Sequence, residues 1–189
     1  MRPAHVVAAA LAAASLWVVA AESVGKLPAP WFISGDRASS YQSGVDNVET
    51  SSGKGAKFIR HAQGDEKGYG ALTQVISAQR YAGQRVRFRA KIKTRDISNW
   101  AGLWMTVHGQ NRANAAFYNS SDQPIKGTTS WQVRSVTLDV PEDGVSIAFG
   151  VINSGRGQVW IDELSFEVVG KDQPVDQMPP AQLPEAPVL

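Results

Sequence analysis

The sequence predicts an all-β fold, a two-sheet antiparallel β-sandwich of the jelly-roll kind with little or no helix in its folded part. Three observations predict it. Apolar and basic residues alternate through nine positions of Arg85-Val86-Arg87-Phe88-Arg89-Ala90-Lys91-Ile92-Lys93, a period of two that an extended strand can use and a helix cannot. Further short apolar-rich runs recur along the chain with turn residues between them, the spacing of a sandwich or barrel. No segment of the central region carries a helical stripe, and Ala78-Gln79-Arg80-Tyr81 is enough for one turn at most.

Taken in order, the remaining strands are expected over 31–34, 41–46, 57–61, 71–77, 102–108, 115–119, 132–140, 145–153 and 158–168. Between them Ser52-Gly53-Lys54-Gly55, Pro141-Glu142-Asp143-Gly144 and Asn153-Ser154-Gly155-Arg156-Gly157 are turn-forming sets. The last two lie between strong strands and read as hairpin connections.

The two ends of the chain differ from this pattern. Arg2 is followed by an uncharged, alanine-rich run from Val6 to Ala20 and then by small residues. That order is the secretory-signal pattern, and the run is short for a membrane span. Residues 1–21 are therefore read as a signal peptide, and a periplasmic or extracellular location follows, with no integral membrane segment after cleavage. From Lys171 onward five prolines (Pro174, Pro179, Pro180, Pro184, Pro187) stand among Gln, Asp and Ala. Such a stretch buries too little apolar surface to offset its ordering entropy, so 171–189 reads as a disordered tail. The domain is thus 22–170.

Composition narrows the function. The chain has no cysteine, which removes disulfides and thiolate chemistry. The domain holds 17 basic and 14 acidic residues once Arg2, Lys171, Asp172, Asp176 and Glu185 are set aside. That mild balance argues against a nucleic-acid partner. Catalytic groups are scarce. His61 and His108 fall on separate strands with no metal-ligand spacing, and no serine has an evident base. A glycosidase needs two carboxylates about 5 to 10 Å apart across a groove. Asp162 and Glu163 are adjacent and point to opposite faces of a strand, so the sequence reads as a non-enzyme with no cofactor.

Several segments together resemble a galactose-binding-like jelly roll, the fold of many carbohydrate-binding modules in exported bacterial proteins. They are Gly102-Leu103-Trp104-Met105, Gly127-Thr128-Thr129-Ser130-Trp131, Leu138-Asp139-Val140-Pro141 and Val159-Trp160-Ile161-Asp162-Glu163-Leu164. The resemblance spans roughly Trp31 to Val168 and implies a fold far more than a ligand. It also implies a structural calcium with Asp162 as a ligand. Calcium takes six to eight oxygens, usually with a second carboxylate, and here only Glu22 or Asp36 stands near the first strand. The reading preferred from the residues alone is that Asp162 caps a turn or pairs with Arg156.

Binding is better supplied. If Leu103, Met105 and Val107 face the core, then Trp104 and His108 face outward, and by the same rule so do Arg87, Arg89 and Lys91. Ser146, Ala148 and Gly150 would floor a shallow hollow, with Asn111, Asn114, Tyr118 and Asn119 at its rim and Trp100 nearby. Sugar rings stack their C–H faces on flat aromatics and hydrogen-bond to planar polar groups. The candidate ligand-binding set is therefore Trp104, Arg89, Arg87, Lys91, His108, Trp100, Tyr118 and Asn119; Trp31, Trp131 and Trp160 are read as packing residues. The partner expected is a glycan. The alternative is an envelope protein, with the module serving protein–protein interaction or envelope assembly.

Overall fold

In the computed structural model the described residues are 24–180. The expected signal peptide therefore lies outside them, as does the end of the tail. Ten strands form: β1 (Val24–Gly25), β2 (Phe32–Ser34), β3 (Tyr41–Asp46), β4 (Ala56–His61), β5 (Tyr69–Ser77), β6 (Arg85–Gly109), β7 (Arg112–Tyr118), β8 (Ile125–Asp139), β9 (Gly144–Ser154) and β10 (Gln158–Val169). Every pairing is antiparallel. The single turn expected near Ala78 is a short 3-10 turn at Gln79–Tyr81.

The organising element is β6, which runs for 25 residues and serves both layers of the sandwich. Its first half, Arg85 to Arg95, is flanked by β10 on one side and β8 on the other. Its second half, Trp100 to Gly109, is flanked by β9 and β7. The change of partners occurs where Asp96 takes a positive φ of 56° and the β6–β8 register slips. One layer is therefore ordered β1-β3-β4-β10-β6-β8 and the other β2-β5-β9-β6-β7.

The core lies between the layers. Val86, Phe88, Ala90 and Ile92 are essentially fully buried, as the alternation requires, and so are Leu103, Met105 and Val107 from the second half. Phe149 of β9 joins the layers. Its ring lies 4.8 Å from Phe88 and 4.9 Å from Phe166, and Trp31 meets it edge-on at 6.0 Å. Trp160 points away from this core but is covered on its outer side. It packs with Ala56, Phe58 and Trp131, donates its indole N–H to Asp46 at 2.9 Å, and carries the Arg95 guanidinium over its ring.

Two expectations change. The connections after β8 and after β9 are not hairpins, because β8 pairs with β6 while β9 pairs with β5 and β6. Both turns carry the chain from one layer to the other. Turn composition marks where a strand stops but carries no information about which layer receives the next one. The second change concerns Lys171 to Pro180, which follow β10 and lie against the sandwich. Arg85 donates to the carbonyls of Lys171 and Gln173. Asp176 exchanges hydrogen bonds with Thr137, and Val175 and Met178 pack on the core. Two apolar side chains and a strand edge with free backbone groups suffice to order a segment whose composition alone argues otherwise.

Candidate functional site

Because β6 alternates, the residues between its buried Leu103, Met105 and Val107 turn to the outside of the second layer. Trp104, Thr106 and His108 pair across to Gly150, Ala148 and Ser146 of β9. Those in turn stand opposite Thr73, Val75 and Ser77 of β5. This face is concave and holds a cleft of about 440 Å3 that crosses all five strands. Ser34 lines it from β2, Tyr69 and Ala71 from β5, Ala148 and Ile152 from β9, Trp100, Trp104, Thr106 and His108 from β6, and Asn114 and Phe117 from β7, with Asn119 just beyond.

Several features give the cleft its chemistry. Trp100 and Trp104 are half-buried, and Tyr69 and Phe117 are exposed. The indole N–H of Trp104 is buried without a hydrogen-bond partner among the described residues. Thr106 donates to Asn114 Oδ1 at 2.9 Å, which orients that amide. Nδ1 of His108 accepts a long hydrogen bond of 3.4 Å from the Asn114 N–H. No residue lining the cleft is a Lys, Arg, Asp or Glu. Apolar faces, amides and hydroxyls converge here without any fixed charge.

The structure brings Trp100, Trp104, His108 and Asn119 together and separates the other candidates from them. Arg87, Arg89 and Lys91 belong to the first half of β6 and project from the opposite layer. There Arg87 pairs with Glu167 at 2.9 Å and Lys91 with Glu163 at 2.8 Å, while Arg89 is exposed beside Ser135 and Ser165. Alternation tells which side of its own strand a residue occupies, but not which layer that strand half enters. Tyr118 is buried, facing inward from β7, and its hydroxyl donates to Asp122 at 2.7 Å. Tyr69 and Phe117, which the sequence reading did not single out, face the cleft instead. The available signal was strand alternation extended to β5 and β7.

Asp162 is 5% exposed and fully engaged. It accepts hydrogen bonds from Thr50 Oγ1, from the N–H groups of Ser51, Ser52 and Glu163, and from Ser52 Oγ, all between 2.8 and 3.0 Å. Burial by itself raises its pKa, but these donors outweigh burial and hold the carboxyl below the usual value. A calcium ion needs oxygens around it, and these neighbours present N–H and O–H donors, with the Lys91 ammonium close by on Glu163. Asp36 is committed to the Tyr69 N–H at 2.7 Å, and Glu22 lies outside the described residues. The site does not fit calcium. Asp162 caps the turn at Thr50–Ser52, and Arg156 pairs with Glu66 instead. Among the described residues no three His, Cys, Asp or Glu side chains converge.

The xylan-binding CBM22-1 domain of Paenibacillus barcinonensis Xyn10C superimposes with a TM-score of 0.54, covering 78% of this chain and 90% of that one at 12% identity. The fold is that of the jelly-roll carbohydrate-binding modules. The CBM22-1 and GH10 modules of Clostridium thermocellum xylanase 10B, complexed with xylohexaose, give 0.55 over 78% of this chain and 27% of that one at 9% identity. The enzymatically active domain of tailspike protein 4 from bacteriophage CBA120 gives 0.56 over 75% and 20% at 12% identity. No family model matches the chain. In sequence it is 35% identical over 160 residues to YbfP of Bacillus subtilis, an uncharacterized HTH-type transcriptional regulator. The match covers 84% of this chain and 54% of that protein, so the chain spans about half the length of its relative. No helix among the described residues is long and apolar enough to cross a membrane.

Proposed function

We propose that the chain is a non-catalytic, periplasmic or extracellular module that binds an uncharged saccharide in the five-stranded cleft. One observation carries this reading. A cleft of about 440 Å3 is lined by four aromatic side chains, amides and hydroxyls, with no fixed charge. Aromatic faces take the C–H surface of a sugar ring, and the buried indole N–H of Trp104 is a donor in want of an acceptor. The absence of charge favours neutral glycans over uronates or sulfated chains, because burying an anion without a partner is costly. Solved modules of the same fold include xylan-binding ones, which supports the ligand class.

Titration of intrinsic tryptophan fluorescence with xylo-, cello-, manno- and galacto-oligosaccharides tests the proposal. A saturable change with at least one series is expected, and Trp104→Ala should weaken it tenfold or more, about 1.4 kcal/mol. No response to any series, or an unaltered Trp104→Ala titration, sinks it. The similarity to YbfP favours one further reading, in which the same cleft serves as the ligand-sensing part of a regulator. N-terminal sequencing of the protein isolated from cells separates the two: a cleaved, exported chain supports the first, and an intact cytosolic chain the second.

A further inference from the structure

Away from the cleft there is a second concavity, of about 230 Å3, where β7, β8 and the segment after β10 meet. Leu103 and Ile125 give it apolar walls, and Tyr118, Arg134 and Asp176 bring polar groups. Arg134 is the telling member. It stands opposite Ala90 in the β6–β8 ladder, and Ala90 is a core residue. Residues opposite one another in a ladder share a face, so the Arg134 side chain leaves β8 on the inward side. Its Nε is buried and has no hydrogen-bond partner among the described residues.

The acceptors come from other elements. Asp176 is positioned by the Thr137 N–H at 2.7 Å on Oδ2. Tyr118 donates to Asp122 at 2.7 Å, and Gln123 reaches the Tyr118 hydroxyl at 3.4 Å. Burial first, and Asp122 second, push the Tyr118 hydroxyl up, so it stays neutral. Donor and acceptor groups thus converge on a space with an apolar wall, built in part by the tail that docks over it.

We propose that this cavity is a second binding site, separate from the cleft, that holds one neutral sugar ring, either a free monosaccharide or the terminal ring of a chain. A sugar hydroxyl both donates and accepts, so one ring can take the Arg134 N–H and give a hydrogen bond to Asp176. One carboxylate, Asp176, and one guanidinium, Arg134, line the cavity, so its fixed charges balance and a neutral ligand fits better than an ion. The volume falls below that of pockets for drug-sized ligands, roughly 300 Å3 and upward, and suits one ring. This inference does not depend on the cleft reading.

The test is methyl-detected NMR on the whole chain, titrated with the methyl glycosides of glucose, galactose, mannose and xylose. Saturable shifts of the Leu103 and Ile125 methyls are expected for at least one sugar. They should persist in Trp104→Ala and weaken tenfold or more in Arg134→Gln and in Asp176→Asn. The wild-type shift map carries the result even where a variant folds poorly. The matching disaccharide glycosides distinguish the sources: equal binding marks a chain end and weaker binding a free monosaccharide, and both support the site. No saturable shift with any sugar, or shifts that vanish in Trp104→Ala, overturns the proposal.

Discussion

Single carboxylates in this molecule show how completely surroundings decide a residue's role. Asp162 has the sequence context of a metal ligand, yet five donors from the Thr50–Ser52 turn and Glu163 occupy its oxygens. Asp162→Ala removes the charged acceptor of these half-buried and exposed donors and should cost about 2 kcal/mol, read as a shift in the urea midpoint. Addition of calcium, or of a chelator, should leave the melting temperature unchanged; a clear rise with calcium would restore the metal reading. Asp139 makes a bidentate pair with Arg85, both bonds 2.9 Å, and also receives Lys171. Those partners, the Arg85 hydrogen bonds foremost, pull its pKa down to about 2. A carboxyl depressed on folding adds stability that is present above its unfolded pKa and lost as pH falls through the folded one. Denaturation midpoints should therefore decline between about pH 4 and pH 2, and Arg85→Gln should flatten that decline. Asp139 is half-exposed, so solvent screening keeps the effect modest.

At the scale of elements, the β5–β9–β6 ladder has one position that admits no side chain. Gly150 pairs with Thr73 on one side and Trp104 on the other. A Cβ built there would lie 1.8 Å from the Leu72 carbonyl oxygen, which is backbone and cannot swing aside. Gly150→Ala must force β5 from β9 and should cost more than about 3 kcal/mol, measured by thermal melting. The docked segment after β10 is a second case. Cutting the chain after Gly170 removes the Val175 and Met178 packing and both Arg85 contacts with that segment. Half-burial of two apolar side chains predicts a loss of about 2 kcal/mol in a urea titration of the shortened chain. Most strands were legible in sequence because alternation is a local property. The two expected over 85–93 and 102–108, however, are one strand, β6, and β8 begins seven residues before the expected 132. The tail was not legible, since what orders it is a sheet edge distant along the chain.

At the scale of the described residues together, the outer face of the first layer is charged and the cleft of the second is not. The first layer displays Arg85, Arg87, Lys91 and Lys93 with carboxylate partners, while the cleft of the second layer has no charged lining. Saccharide affinity in the cleft should therefore be the same at about 0.05 M and about 0.5 M salt, because no ion pair is there to be screened. A steep salt dependence in calorimetry would instead place the ligand on the charged face. Four of the sequence's eight candidate binding residues share the cleft, and the four that do not lie elsewhere for two reasons. Arg87, Arg89 and Lys91 were assumed to neighbour Trp104 on a common face, and Tyr118 was assumed to point outward.

Composition and periodicity by themselves determined that this chain is all-β, which face of the most regular strand stretches is buried, and that catalytic groups are scarce. These follow from local rules: the two-residue repeat of a strand and the chemistry of the side chains present. Only the tertiary structure decided that one 25-residue strand serves both layers, turning over at Asp96. That single crossing puts Trp104 in a cleft and Arg89 on the far side of the molecule. Partner choice between strands depends on contacts among residues far apart in sequence, and no local pattern encodes it.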